Sequence, residues 1–277
     1  MSLFNFNMEE LLTFFAVLVR YSVLFSVLPF VGDNHVPAPV KILLSLSASM
    51  ALFPGLVASG VIHPSDASVW GASVQGIIFT IGAEVIFALI LGYVARLAFE
   101  TIHFGGNLVG NFMGFGIAST YDPNMQSQTQ VVAEIQAAIG ILVFLAVDGH
   151  HLMIRAALQS YQVVGLGGAG VAGGPSAYLN AGAVQRLGEL TAQVLRLGIE
   201  ISAPIAIVLF ALNIVFGILA KAMPQLNILI LSVTISALVG LIMMFLTISE
   251  FQAAAGEIFA RMGTNMNAIL QSLAHGH

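Results

Sequence analysis

A chain of 277 residues that is 58% hydrophobic and only 8% charged carries too few charges for a soluble domain, where about 25% is usual. It reads as an integral membrane protein or as a subunit buried in a membrane-associated assembly. The lack of cysteine excludes disulfides, thiol catalysis and cysteine-based metal sites, and a net charge of −5 offers no basic face for nucleic acid.

Glu9 and Glu10 precede the first apolar run, and no basic residue does. That order does not fit a cleaved signal peptide, so the run is expected to stay as a helix. Leu11 to Val31 is apolar apart from Arg20, is closed by Pro29 and Gly32, and is long enough to cross a bilayer core. Pro37-Ala38-Pro39 makes a stiff turn, and a second apolar run follows from Lys41 to Ile62. Pro54-Gly55 should kink or break that run, while Ser45, Ser47 and Ser49 point to a close helical neighbour. After His63-Pro64, Asp66 or Ser68 is placed to cap the next helix.

Trp70 to about Gly110 has a long helical pattern that includes Glu84, Arg96 and Glu100. Gly106, Gly110 and Gly114 are spaced by four and share a face where another backbone can come close. Phe112-Met113-Gly114-Phe115-Gly116-Ile117 follows, and there the helix should fail, because glycines weaken it and Ser119, Thr120, Asp122 and Pro123 come next. An uncharged polar stretch, Asn124 to Gln130, leads into a helix from Val131 to about Tyr161, with Asp148-Gly149-His150-His151 inside it. Residues 163–182 form a glycine-rich linker. Its letters match G-x-G-x-x-G, but no strand precedes them in a βαβ unit. Ala183 to Ala220 is a long helical pattern containing Pro204, Ala222 to Ser249 is uncharged and the clearest spanning candidate, and Glu250 to Ala274 reads as an amphipathic tail helix.

Nothing alternates with period two, so the expected fold class is all-α. Hydropathy counts six spans, and the eight lysines and arginines give no firm orientation. The linker separates a larger helical part, 1–162, from a helical hairpin, 183–277.

Arg20, Glu84, Arg96, Glu100, Glu134, Arg196 and Glu200 fall within apolar patterns, where a charge must face protein or water. Arg96 with Glu100, and Arg196 with Glu200, can pair along one helix. Structural pairing is favoured over a proton or ion relay. Asp148, His150 and His151 invite a metal reading, yet adjacent histidines on a helix point about 100° apart, and zinc-type spacings are absent. They are read as capping a helix junction, with no metal and no cofactor. No nucleophile elbow, P-loop or nucleophile–base pairing is visible, so no enzyme is expected. The Phe112–Phe115 cluster is either a packed core or a narrow apolar ring that closes a path by dewetting.

Several stretches resemble one known family. They are Glu84…Gly92…Arg96, Gly106-Asn107-Leu108-Val109-Gly110, Met113-Gly114, Asp122-Pro123, and Phe144-Leu145-Ala146-Val147-Asp148-Gly149-His150-His151, joined by Arg20 with Pro29 and Pro37, Pro204, and Lys221-Ala222-Met223-Pro224-Gln225-Leu226-Asn227. Together they resemble the FliR family, the flagellar R-subunits of type III secretion export apparatuses, over nearly the whole chain and in the expected order. Lys221 stands where that family is expected to carry arginine, and the linker is unusually glycine-laden.

The resemblance implies a FliP-like front part fused to a FliQ-like hairpin. It implies one subunit assembled with FliP-like and FliQ-like partners, and with an FlhB-like subunit, into a gate for unfolded flagellar proteins. The gate would sit in the bacterial inner membrane at the flagellar basal body, projecting to the periplasmic side. The family's plug loop maps to residues 112–124, with Phe112, Met113, Gly114, Phe115, Gly116 and Ile117 as gate residues. Gly106 and Gly110 would serve helix packing, and Arg20, Glu84, Arg96, Glu100, Asp148, His150 and His151 would be assembly charges. The rival reading is a polytopic secondary transporter for a small molecule or ion, which also uses broken helices but usually shows inverted repeats.

Overall fold

The computed structural model describes residues 7–29, 31–32, 36–116, 126–168, 181–225 and 227–275. Every regular element among the described residues is helical, as the sequence pattern predicts. The α-helices are, in order, α1 (Met8–Val27), α2 (Ala38–Ala58), the single turn α3 (Ala67–Trp70), α4 (Val74–Phe112), α5 (Gln126–Ala146), α6 (Gly149–Val164), α7 (Ala181–Ala222), α8 (Ile228–Leu246) and α9 (Ile248–His275), with 3-10 turns at Pro64–Asp66 and Leu166–Gly168. Five of these are long and apolar enough to cross a membrane, and six spans result if α5 and α6 count as one broken span.

Local chemistry accounts for most boundaries. Pro39 occupies the first turn of α2, where its missing N–H costs nothing. Pro54 lies inside the same helix, which runs on to Ala58 rather than breaking. Neither Asp66 nor Ser68 caps a helix. Asp66 already has helical backbone angles and makes no cap bond, and the Ser68 hydroxyl donates to the Ser65 carbonyl. The cap of the long helix is Ser73, whose Oγ accepts from the Gly76 N–H at 3.0 Å, satisfying one of the orphan donors of the first turn. The helical pattern after the central loop is interrupted at Val147 and Asp148, where Asp148 takes φ 54°. That left-handed conformation, tolerated by Asp better than by most side chains, ends α5.

The chain forms two compact units, and each draws on both sides of the glycine-rich linker. One comprises Met1–Arg96, Gly149–Leu190 and Arg261–His277; the other comprises Leu97–Asp148 and Thr191–Ala260. In the first unit, α1 and α2 meet through Phe14 and Phe53, whose rings lie edge to face at 5.6 Å. Ser45 and Ser49 of α2 are buried but return their hydroxyls to carbonyls of their own helix, while Ser47 is exposed. In the second unit, Phe99 of α4, Phe144 of α5 and Phe259 of α9 form a triangle with centroids 4.8–5.2 Å apart, a favourable edge-on arrangement for aromatic rings.

Candidate functional site

Two features of the structure concentrate chemistry. The first is an ion pair inside the first unit. Arg20 of α1 and Glu84 of α4 have no solvent exposure and form a two-point fork, Nε to Oε2 at 2.5 Å and Nη2 to Oε1 at 2.8 Å. Bidentate geometry of this kind is both stronger and more directional than a single contact. Arg20 Nη1 also donates to Ser160 Oγ at 2.8 Å, and Nη2 donates to the Gly165 carbonyl at 3.2 Å. Its guanidinium lies 3.7 Å from the centre of the Tyr161 ring and 5.3 Å from that of Phe87, so the cation is stacked as well as hydrogen-bonded.

Glu84 Oε1 accepts a further bond from the Gly167 N–H at 2.7 Å. Gly167 has φ 60°, and a Cβ there would stand 2.7 Å from Thr80 Cγ2, so only glycine fits. The pair therefore ties α1 and α4 to the end of α6 and to the first residues of the linker. A charge pair this deep is stable only because its remaining donors and acceptors are used.

The second feature is the end of α4, in the second unit. Gly106 packs so closely on α5 that a Cβ would lie 2.6 Å from the Ala133 backbone. The neighbouring Gly105 faces α7 instead, where a Cβ would stand 3.1 Å from the Gly198 carbonyl oxygen. Gly110 is buried. Gly114 is not on the helical face at all, because α4 ends at Phe112 and Gly114 turns away with φ 90°.

Met113 is wholly buried in a cluster with Val109, Val132, Ile205 and Leu209, against which Phe112 and Phe115 are half-buried. It rests on Gly240 of α8, where a Cβ would come within 2.7 Å of Met113 Cγ. Ile117 lies outside the described residues, as does the rest of the loop to Asn124. Exchange of Gly106 for Leu is expected to cost about 1–3 kcal/mol through overpacking, whereas Leu108→Ala is expected to be mild because Leu108 is only half-buried. Equal yields of folded protein from the two variants would refute this.

A sequence model described as bacterial export proteins, family 1, matches residues 11–262. The chain belongs to that family. Similar proteins include the flagellar biosynthetic protein FliR of Escherichia coli K12, 26% identical over 83% of this chain and 82% of that protein. FliR of Bacillus subtilis 168 is 24% identical over 93% and 94%. The surface presentation of antigens protein SpaR of Shigella flexneri is 24% identical over 88% of each chain.

Within this export-family chain, the charges singled out by sequence separate into two groups. Arg20 and Glu84 are buried and paired with each other. Arg96, Glu100, Glu134, Asp148 and His151 are exposed, and His150 is half-buried. Arg196 and Glu200 do pair along α7, at 2.9 Å, but on an exposed face. The rings of His150 and His151 have centroids 4.2 Å apart, closer than their helical spacing suggests. Sequence reasoning missed Ser160, Tyr161 and Gly167, which complete the Arg20–Glu84 site, and it missed Gly105, Gly198 and Gly240, whose value lies in contacts distant in the chain. The only signal available for the last three was glycine inside long apolar helices, where it is otherwise costly.

Proposed function

We propose that this chain is a subunit of a flagellar type III protein export gate and that the segment after α4 forms its closure. The observation that carries the reading is an export-family match spanning residues 11–262, in a chain whose longest apolar front helix stops at Phe112 on a glycine-flanked apolar segment. The names of the relatives, FliR and SpaR, support the same assignment, and the small-molecule transporter reading has no support in the family.

In this reading the front part, 1–162, is FliP-like and 183–277 is a FliQ-like hairpin. FliP-like and FliQ-like subunits, with an FlhB-like subunit, surround the chain in the bacterial inner membrane, and the assembly projects to the periplasmic side. Unfolded flagellar proteins are the cargo. Phe112, Met113, Gly114, Phe115, Gly116 and Ile117 belong to the closure, which keeps the path dry while it is narrow and apolar. The exposed charges Arg96, Glu100, Asp148 and His151, costly against lipid, are places for partner subunits to cover. So are the outward apolar residues of α7, such as Ile207, Phe210 and Ile218.

The test is extraction of the tagged chain from its native membrane in mild detergent, followed by mass measurement of the intact particle. Two other small hydrophobic proteins in a fixed ratio are expected, and loss of the chain should stop secretion of flagellar subunits. A monodisperse, fully folded monomer with undiminished secretion in its absence would overturn the assignment.

A further inference from the structure

We propose that a cavity between α5, α7 and the α8–α9 junction is a socket for an arginine side chain of a neighbouring subunit; the inference rests on the export-subunit reading above. The cavity lies wholly within the second unit and has a volume of about 130 Å³. Gln136 of α5, Glu200 and Pro204 of α7, Thr247 at the junction and Glu250 of α9 line it. Most of the remaining wall is apolar, formed by isoleucines with Met244 and Phe251. An engineered protein cavity of about 150 Å³ holds one benzene, whereas sites for small molecules run from about 300 to 1,000 Å³. The space therefore fits a single side chain and is too small for a metabolite or a lipid chain.

The polar part of the wall is rich in acceptors. Pro204 lies inside α7 and has no N–H to return to the Glu200 carbonyl four residues before it, so that carbonyl loses its intrahelical donor. The Glu200 carboxylate spends Oε1 on Arg196, at 2.9 Å, and keeps Oε2. Glu250 forms no ion pair among the described residues. The Thr247 hydroxyl donates to the Met243 carbonyl at 2.9 Å, which leaves its lone pairs. Gln136 is only 4% exposed, and its Oε1 has no hydrogen-bond partner among the described residues. A half-turn of the carboxamide exchanges oxygen and nitrogen in place, so this acceptor can be offered to the cavity without moving the rest of the side chain. One positive charge, Arg196, and two negative ones, Glu200 and Glu250, leave the mouth one cation short.

A guanidinium suits this wall best. It spreads five donors over a plane, so it meets several acceptors at once while its stem lies on apolar side chains. Lysine brings three donors at one point and would leave more of the acceptors unused. A protein is the source because the mouth lies among outward apolar residues of α7, Ile199 and Ile207. Carboxylates there are costly against lipid, and a neighbouring helix both covers the apolar residues and supplies the cation. The first turn of α9 accounts for tolerance of a carboxylate at Glu250, but not for its place beside a cavity of acceptors.

The tagged chain is to be extracted with its complex in mild detergent from cells carrying Glu250→Gln, Glu250→Arg, or p-benzoylphenylalanine in place of Ala254, which lines the same cavity. Co-purified subunits are quantified against the tagged chain, and the adduct of the photoreactive residue is identified by mass spectrometry. Glu250→Gln removes the charge from the bonds to the guanidinium, so retention of the neighbour is expected to fall about 10-fold or more. Glu250→Arg should lower it further, with the level of tagged chain in the membrane unchanged for both. The adduct is expected on an arginine-containing peptide of another subunit, and exchange of that arginine for glutamate should restore retention to Glu250→Arg. If the unaltered chain brings no other subunit, the export-subunit reading fails and the socket with it. If it brings them, but Glu250→Gln retains them equally well or no adduct reaches another subunit, the socket is wrong and the reading stands. Should a variant lower the level of the chain itself, the reciprocal exchange decides: restored retention supports the socket, and unrestored retention refutes it.

Discussion

Arg20→Met is expected to be among the most damaging single exchanges in this chain, at a cost of about 3–5 kcal/mol, because it leaves Glu84 as a buried and uncompensated charge. The methionine fills much of the arginine's volume, so the loss is electrostatic rather than a cavity. One N–H, from Gly167, would remain on the carboxylate. Glu84→Gln is expected to be milder than Arg20→Met, since it keeps an acceptor for the guanidinium. Arg20→Lys should fall between them: a lysine has the charge but neither the fork that meets Oε1 and Oε2 nor the plane that stacks on Tyr161.

The informative variant is the double exchange Arg20→Met and Glu84→Met, which removes both charges and fills the space with apolar atoms. Replacing a buried pair by apolar residues of similar volume is often neutral or stabilising, so the double variant should be far more stable than Arg20→Met alone. Resistance of the detergent-extracted protein to heat and to proteolysis gives the ranking. A double variant no better than the single one would show that geometry at the linker, not charge compensation, is what the pair provides.

That site also shows where sequence reading stops. The helices were legible because their apolar runs are long and are bounded by Pro, Gly and small polar residues; α4 and α7 fall within a few residues of the ends expected, whereas α8 starts only at Ile228, beyond the Pro224 turn. The pair Arg196–Glu200 was legible because helical spacing is a local rule. Arg20 and Glu84 are 64 residues apart, and nothing local says that they meet. Burial was readable for each of them as the cost of a charge among apolar neighbours, but the partner was not.

The same limit applied to Gly240, which becomes meaningful only when Met113 rests on it, and to Asp148, whose tolerance of positive φ does not by itself say that α5 ends there. The two compact units were not legible either, because the long helices α4, α7 and α9 each contribute to both and no break in the apolar pattern marks the change.

In the gate reading the segment after α4 offers the other large effect, and its three bulky residues differ in burial. Met113 is wholly buried and would anchor the segment; Phe112 and Phe115 are half-buried against the same cluster and are the two that the gate reading turns toward the path. Met113→Ser is therefore expected to lose assembled complex, at a cost of about 2–5 kcal/mol for emptying a packed site. The double exchange Phe112→Ser and Phe115→Ser is expected to leave assembly largely intact and to let ions leak across the membrane, because an apolar constriction excludes water only while it is narrow and unwettable. Small hydroxyl side chains remove both conditions at once.

A pure packing role for the phenylalanines predicts the reverse pattern, in which complex is lost and the membrane stays sealed. Conductance and complex yield, read from the same cells, separate the two. Intact complexes carrying both serines with no gain in conductance would remove the closure from residues 112–116 and move it elsewhere in the apparatus.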